Sequence, residues 1–239
     1  MEIPEAEPER FKGRHFEREV IVLCVRWYLS FKLSSRDLVQ MMSERGITLA
    51  HTTILRWVQR YVPEFEKRWF RYARSVSGSR RCDKTYIKVK GRWTYLYRAV
   101  DKQGRTVDFL LREKRDVAAA KRFFRKAIRS HRAPRVVTLD AYAASHRAVR
   151  ELKDAGVLPQ RVRVRSSKYL NNLVEQDHRR IKHRIRAMLG FKRFHTAVVT
   201  ISGIELAEKM KIKMHQFKIG KLSGRPTTTP QIWAAVLAA

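Results

Sequence analysis

From Phe16 to Phe31 apolar residues recur at Val20, Leu23, Cys24, Trp27, Tyr28 and Phe31, the i, i+3, i+4, i+7 spacing of a helix with one buried face. Ser34 stands three residues before Asp37, a capping-box spacing, and Leu38, Met41 and Met42 form the stripe of a second helix that Gly46 ends. Thr52 or Thr53 caps a third, with Ile54, Trp57, Val58 and Tyr61 on one face and Pro63 as its stop. Three short helices with a tight glycine turn between the last two describe a helix-turn-helix unit, although any three-helix bundle shares the pattern.

A helical linker then runs into a Ser/Gly-rich joint (Ser75, Ser77, Gly78, Ser79), after which the period changes from 3.6 to 2. Asp83, Thr85, Ile87 and Val89 alternate with Lys84, Tyr86, Lys88 and Lys90, and Gly91 marks a turn. Trp93 to Val100 and Thr106 to Leu111 read as two further strands, and the short turns between all three require an antiparallel meander. There follow a helix from Val117 to Ser130, a buried strand (Val136, Val137, Leu139), a helix from about Ala144 to Ala155, a short basic strand (Val162 to Val164) and a long helical region opening near Asn172. The order predicts a mixed α/β domain with a five-stranded sheet, preceded by the all-α unit. The expected divisions are a disordered acidic lead over 1–10, the helical unit over 11–62, a linker over 63–80, the α/β domain over 81–220 and a tail over 221–239.

Composition adds a partner to this picture. The 239 residues carry 53 Lys+Arg against 22 Asp+Glu, a net charge of +31. At 44% hydrophobic the chain is that of a globular protein, not of a disordered basic tail. Such a field repels itself unless a polyanion neutralises it, and nucleic acid is the abundant one. On that reading the third helix presents Thr52, Thr53, Arg56, Gln59 and Arg60 to a DNA groove. No apolar run approaches the roughly 18 residues of a membrane span. The acidic start is unlike a signal peptide. Two cysteines, Cys24 and Cys82, cannot build a zinc knuckle, so an intracellular protein is expected.

The scarce carboxylates carry the candidate chemistry. A helix crosses from the third strand to the fourth, so the fourth can lie parallel to the first and beside it. Asp83, at or just before the first strand, and Asp140, at the end of the fourth, would then be neighbours. Two neighbouring carboxylates repel unless a cation sits between them, and a hard divalent ion with oxygen ligands resolves this. A third carboxylate completes a two-metal clamp for displacement at phosphorus. Glu175 is the candidate, although its spacing from Asn172 also suits a capping box. Lys182, two turns further along the same face, could hold a phosphate, with Arg179 and Arg184 nearby. The segment from Arg161 to Arg193 holds eleven Lys/Arg and two acids, as a phosphate-tracking surface requires. Asp177 is expected to be structural, and Asp101 and Asp108 to be solvated.

These residues resemble the DDE transposases of bacterial insertion sequences, within the RNase-H-like superfamily, and more closely the group typified by insertion sequence six. The matches run in order: Phe11-Lys12-Gly13-Arg14-His15-Phe16, Val25-Arg26-Trp27-Tyr28, His51-Thr52-Thr53-Ile54-Leu55-Arg56-Trp57-Val58, Asp83-Lys84-Thr85-Tyr86-Ile87-Lys88-Val89, the stretch from Gly91 to Asp101, Asp140, the helix holding Asn171, Asn172, Glu175, Asp177, His178 and Lys182, and Leu189-Gly190-Phe191-Lys192. They cover about residues 11 to 218. The resemblance implies an RNase-H-like catalytic domain in which Asp83, Asp140 and Glu175 hold two Mg²⁺, with Mn²⁺ as a substitute. It further implies recognition of terminal inverted repeats by the N-terminal helices (Thr52, Thr53, Arg56, Arg60), backbone contacts from Arg179 and Lys182, cleavage at the element's 3′ end, and strand transfer into double-stranded target DNA. A homodimer on DNA, no membrane partner, and a bacterial cytoplasmic, nucleoid-associated location go with it.

The family usually has Glu where this chain has Lys84, and often Lys where this chain has Ala141. Strand alternation turns Lys84 away from the Asp83 side chain, so the carboxylate site is expected to survive. Two alternatives stay open: a metal-dependent nuclease of the same fold, and an inactive, domesticated DNA-binding derivative, which Lys84 favours.

Overall fold

The computed structural model describes residues 15–69, 78–104, 106–131, 133–140, 142–166, 172–214 and 228–238, and within these the side chains of 130, 172–177, 211–214, 235, 237 and 238 are not described. The expected lead over 1–10 and the Ser/Gly joint before Gly78 lie outside the described residues. The chain divides into two compact units, residues 1–73 with 199–239, and residues 74–198.

The first unit is helical. It contains α1 (Arg18–Ser30), α2 (Ser35–Ser43), α3 (His51–Trp69), the part of α7 (Phe194–Met214) from Val199 onward, and α8 (Thr229–Ala238). The capping box opens α2 as expected: the Ser34 hydroxyl accepts from the Asp37 N–H at 3.1 Å, and the Asp37 carboxylate accepts from the Ser34 N–H at 2.7 Å. Gly46, at φ 71°, ends it in the left-handed conformation that glycine takes without strain. The stripe Ile54, Trp57, Val58, Tyr61 is buried as its spacing requires.

Three expectations need correction in this unit. The buried face of α1 is Ile21, Val22, Cys24, Val25, Tyr28 and Leu29, one position on from the expected stripe, and Phe31 is half exposed. The run from Val20 to Val25 is apolar on every side, so periodicity offers two overlapping faces and packing selects between them. Pro63 does not stop α3, which continues six residues further. Proline removes one backbone hydrogen bond, but the extension buries Phe65 and Trp69, and Phe65 meets Trp233 of α8 edge-on at 4.5 Å between ring centroids. The expected tail therefore supplies α8 to this core, with Trp233 fully buried and the Ala234 carbonyl accepting from the Arg18 guanidinium at 3.1 Å.

The second unit is a five-stranded sheet in the order β3-β2-β1-β4-β5, with helices on its faces. Its strands are β1 (Ser79–Val89), β2 (Arg92–Val100), β3 (Thr106–Arg112), β4 (Val136–Leu139) and β5 (Arg163–Ser166). The helices are α4 (Val117–Ser130), α5 (Ala143–Asp154) and α6 (Asn172–Arg186). The first three strands form the expected antiparallel meander. Lys90 and Gly91, both at positive φ, make its two-residue turn, the backbone a tight hairpin needs. β4 lies beside β1 and parallel to it, with α4 as the crossover, and β5 runs parallel to β4. This is the RNase-H-like arrangement.

Alternation assigns the two faces of β1. Cys82 packs with Tyr97, Ala99, Phe123, Phe124, Leu139 and Val149 in the core beneath α4 and α5. Asp83 therefore faces the other side, where α6 packs on β1 and β2. β5 is exposed along its length and carries Arg163 and Arg165, charges that suit an edge strand. Asp101 and Asp108 are buried, not solvated: Asp101 accepts from the Gln103 N–H at 3.0 Å, and Asp108 accepts from the Phe109 N–H at 2.8 Å and pairs with Lys126 at 3.1 Å.

Candidate active site

The parallel pairing of β1 and β4 sets Cys82 opposite Leu139, so the next residue on each strand is an aspartate. Asp83 lies inside β1, which begins earlier than expected, and Asp140 follows the last residue of β4. Both line one small pocket with Lys84, Tyr97, Phe123, Phe124 and Ser145. Backbone groups orient the two carboxylates. Asp83 Oδ1 accepts from the Lys84 N–H at 2.7 Å, and Asp140 Oδ1 from the Tyr142 N–H at 3.4 Å. His146 Nε2 meets the Asp140 carbonyl at 2.9 Å.

Glu175 lies on α6, the helix packed over the Asp83 face, but its side chain, like that of Asp177, is outside the described residues. Three residues on, His178 is buried, and its Nδ1 stands 3.9 Å from Asp83 Oδ2. Burial first, then the Arg98 and Lys182 cations, lower the His178 pKa to about 3. Its ring is neutral at pH 7. Paired opposite Asp83 on β2 stands Arg98, also buried. The sequence placed both within the family matches but assigned neither a role at the site. Spacing gave a signal for His178, one turn beyond Glu175; Arg98 is visible only once the hairpin register is known.

Lys84 departs furthest from expectation. Alternation does turn it from Asp83, but its ammonium forms an ion pair with Asp140 Oδ2 and lies 4.1 Å from the centre of the Tyr142 ring. The Arg115 guanidinium also lies over that ring at 3.8 Å, and the Tyr142 hydroxyl donates to the Arg115 carbonyl at 2.9 Å. A lysine carries four methylenes, so the face its Cβ takes does not fix where its charge ends.

Two adjacent carboxylates of a hard oxygen donor set fit a divalent cation such as Mg²⁺. Among the described residues no third carboxylate, histidine or cysteine completes a metal-holding group. Of the remaining candidates, Thr52, Arg56 and Arg60 are exposed on α3 and Thr53 is half-buried. Gln59 donates to Thr200 Oγ1 at 3.2 Å within the helical unit, so the fold engages it. On α6, Arg179 and Lys182 are exposed, whereas Arg184 is buried and does not offer its charge to a phosphate. No described helix is long and apolar enough to cross a membrane.

A mixed five-stranded sheet in this order, with helices on its faces, is the RNase-H-like fold class. A DDE domain family, of IS240-type transposases, matches residues 77–215. The transposase for insertion sequence-like element IS431mec of Staphylococcus aureus is 38% identical over 195 residues, covering 82% of this chain and 85% of that protein. The transposase for insertion sequence element IS257 in transposon Tn4003, also of Staphylococcus aureus, matches to the same extent. Among solved structures, the HTLV-2 integrase catalytic core domain in complex with magnesium (trimeric form) is similar at a TM-score of 0.44 and 16% identity, covering 64% of this chain and 97% of that one. The chain belongs to the DDE transposases of insertion sequences, in the insertion-sequence-six-like group, a family of DNA-processing enzymes.

Proposed function

We propose that this transposase binds the terminal inverted repeats of its element, cleaves at the 3′ end and joins that end to double-stranded target DNA, with Asp83, Asp140 and Glu175 as its catalytic carboxylates. The observation that carries this reading is the parallel register that brings Asp83 and Asp140 to consecutive positions beyond a paired Cys82 and Leu139, under the helix bearing Glu175.

The three carboxylates would hold two Mg²⁺, or Mn²⁺ in their place, which when bound supply charge neutralisation at the scissile phosphate and activation of the attacking oxygen. The chain's own residues do the rest. The backbone N–H of Lys84 orients Asp83, buried neutral His178 packs beside its carboxylate, and the N–H of Tyr142 orients Asp140. Exposed Arg179 and Lys182 hold the DNA backbone along α6. In the helical unit, α2, the Gly46 turn and α3 act as a helix-turn-helix, with Thr52, Thr53, Arg56 and Arg60 toward the groove. Two element ends must be joined in one reaction, which calls for a homodimer on DNA, acting in the bacterial cytoplasm on nucleoid DNA. No membrane partner is involved.

The Lys84–Asp140 ion pair favours one second reading, an inactive derivative kept for its grip on DNA. Incubation with a terminal-repeat duplex and a supercoiled target, with and without Mg²⁺, separates the readings. Joined products that require Mg²⁺ support the transposition reaction. Cleavage without joining indicates a nuclease, and tight binding without chemistry under Mg²⁺ or Mn²⁺ indicates the inactive derivative.

A further inference from the structure

Beyond its backbone N–H on Asp83, Lys84 has no part in the chemistry proposed above, yet its side-chain charge is built into the site. The side chain is only 6% exposed, against 27% for that of Asp140. Its seat is made by two groups, the Asp140 carboxylate and the face of the Tyr142 ring, and the ring is itself held by Arg115, whose carbonyl accepts from the Tyr142 hydroxyl. An ion pair whose cation is this sheltered is poorly screened by salt. It also occupies Asp140 Oδ2, one of the two oxygens this carboxylate could offer a metal ion. The other oxygen, Oδ1, receives the Tyr142 N–H.

We propose that Lys84 is a built-in competitor for the divalent cation at Asp140, so that metal loading there requires the ammonium to leave its seat on Tyr142. The inference rests on the reading of Asp83 and Asp140 as metal ligands. One elementary positive charge in contact with a carboxylate lowers the site's attraction for a second cation, and the cation already in place must be displaced and rehydrated. The chain thus carries a threshold for metal that the same carboxylates would lack with a neutral residue at position 84.

The test is Mn²⁺ titration of the full-length chain without DNA, following free Mn²⁺ by electron paramagnetic resonance. Lys84→Gln and Lys84→Ala are expected to bind Mn²⁺ about tenfold more tightly than wild type, the gain from removing one sheltered, competing charge. Lys84→Arg, which keeps the charge, stays near wild type. In an Asp140→Asn background Lys84→Gln gains nothing, because the contested carboxylate is gone. Melting curves provide a second signature. Without metal Lys84→Gln melts below wild type, since Asp140 has lost its partner, and saturating Mn²⁺ raises its melting temperature by more than it raises that of wild type. A purely structural lysine would lower both curves together. Equal or weaker Mn²⁺ binding in Lys84→Gln and Lys84→Ala, with Asp83→Asn still abolishing it, would overturn the competition and leave the carboxylate site standing. Absence of Mn²⁺ binding in wild type and every variant would remove the metal-ligand reading and this inference with it.

Discussion

His178 on α6 and Asp83 on β1 face each other across the sheet–helix interface, with Nδ1 of the buried ring 3.9 Å from Oδ2 of the carboxylate. The contact ties the helix of Glu175 to the strand of the first aspartate. Burial holds the ring neutral, with its pKa lowered to about 3, so it fills the space beside Asp83 without adding charge. His178→Ala is expected to cut strand joining by about 10- to 100-fold, as loss of a supporting neighbour does. Terminal-repeat binding, measured by gel shift, stays close to wild type. Wild-type joining by His178→Ala would deny the ring this role.

Gly203, within α7, is closed in by the helical core: a Cβ there would stand 2.8 Å from both Leu29 methyl carbons and 2.9 Å from Val62 Cγ2. Leu29 and Val62 are fully buried and have little room to yield. Alanine gains up to about 1 kcal/mol in helix propensity over glycine. Overpacking costs about 1–3 kcal/mol, so Gly203→Ala is expected to be net destabilising and Gly203→Val more so. Urea unfolding followed by tryptophan fluorescence checks this; a stabilised Gly203→Ala would refute the tight fit.

Cys24 and Cys82 are buried thiols, pushed up by burial to about 11 and about 12. In the folded chain they keep their protons where the unfolded chain begins to lose them, near 9.0. Their contribution to stability is therefore complete below pH 9 and is lost as pH rises from there through the folded values. At pH 8 iodoacetamide is expected to label neither thiol in native protein and both in denaturant, because only an accessible thiolate reacts. Rapid native labelling of Cys82 would show that the core beneath α4 and α5 is open.

Arg56 and Arg60 are exposed on α3, two helical positions that suit phosphate or base-edge contact. Loss of one phosphate contact lowers the slope of log affinity against log salt by about 1. Arg56→Ala and Arg60→Ala are expected to weaken terminal-repeat binding; a base-reading arginine loses discrimination between repeat and scrambled DNA, and a phosphate-binding one loses salt slope. Unchanged affinity, specificity and slope in both variants would exclude α3 as a recognition helix.

Local chemistry explains why much of this fold was legible before the structure. Ser34 and Asp37 signal their own capping box, and the change of period at Asp83 marks the sheet. A crossover helix between β3 and β4 permits the parallel pairing that brings Asp83 beside Asp140. What stayed hidden depends on distant partners. Pro63 sits inside α3 because Trp233, far along the chain, completes the packing around Phe65. Asp101 and Asp108 take N–H partners one or two residues away, as turn carboxylates do, and only the packing that buries both and brings Lys126 to Asp108 sets them apart. Lys84 obeys alternation at its Cβ and defeats it at Nζ, since the reach of a flexible side chain is not periodic.

The central claim is that Asp83, Asp140 and Glu175 act as one phosphoryl-transfer site. Its most direct test is strand joining by the near-isosteric Asp83→Asn, Asp140→Asn and Glu175→Gln variants in Mg²⁺, with terminal-repeat affinity measured on the same preparations. Each variant is expected to bind the repeat within about threefold of wild type, since phosphate contacts dominate affinity, and none to yield joined product. Wild-type joining by any one of the three would contradict it.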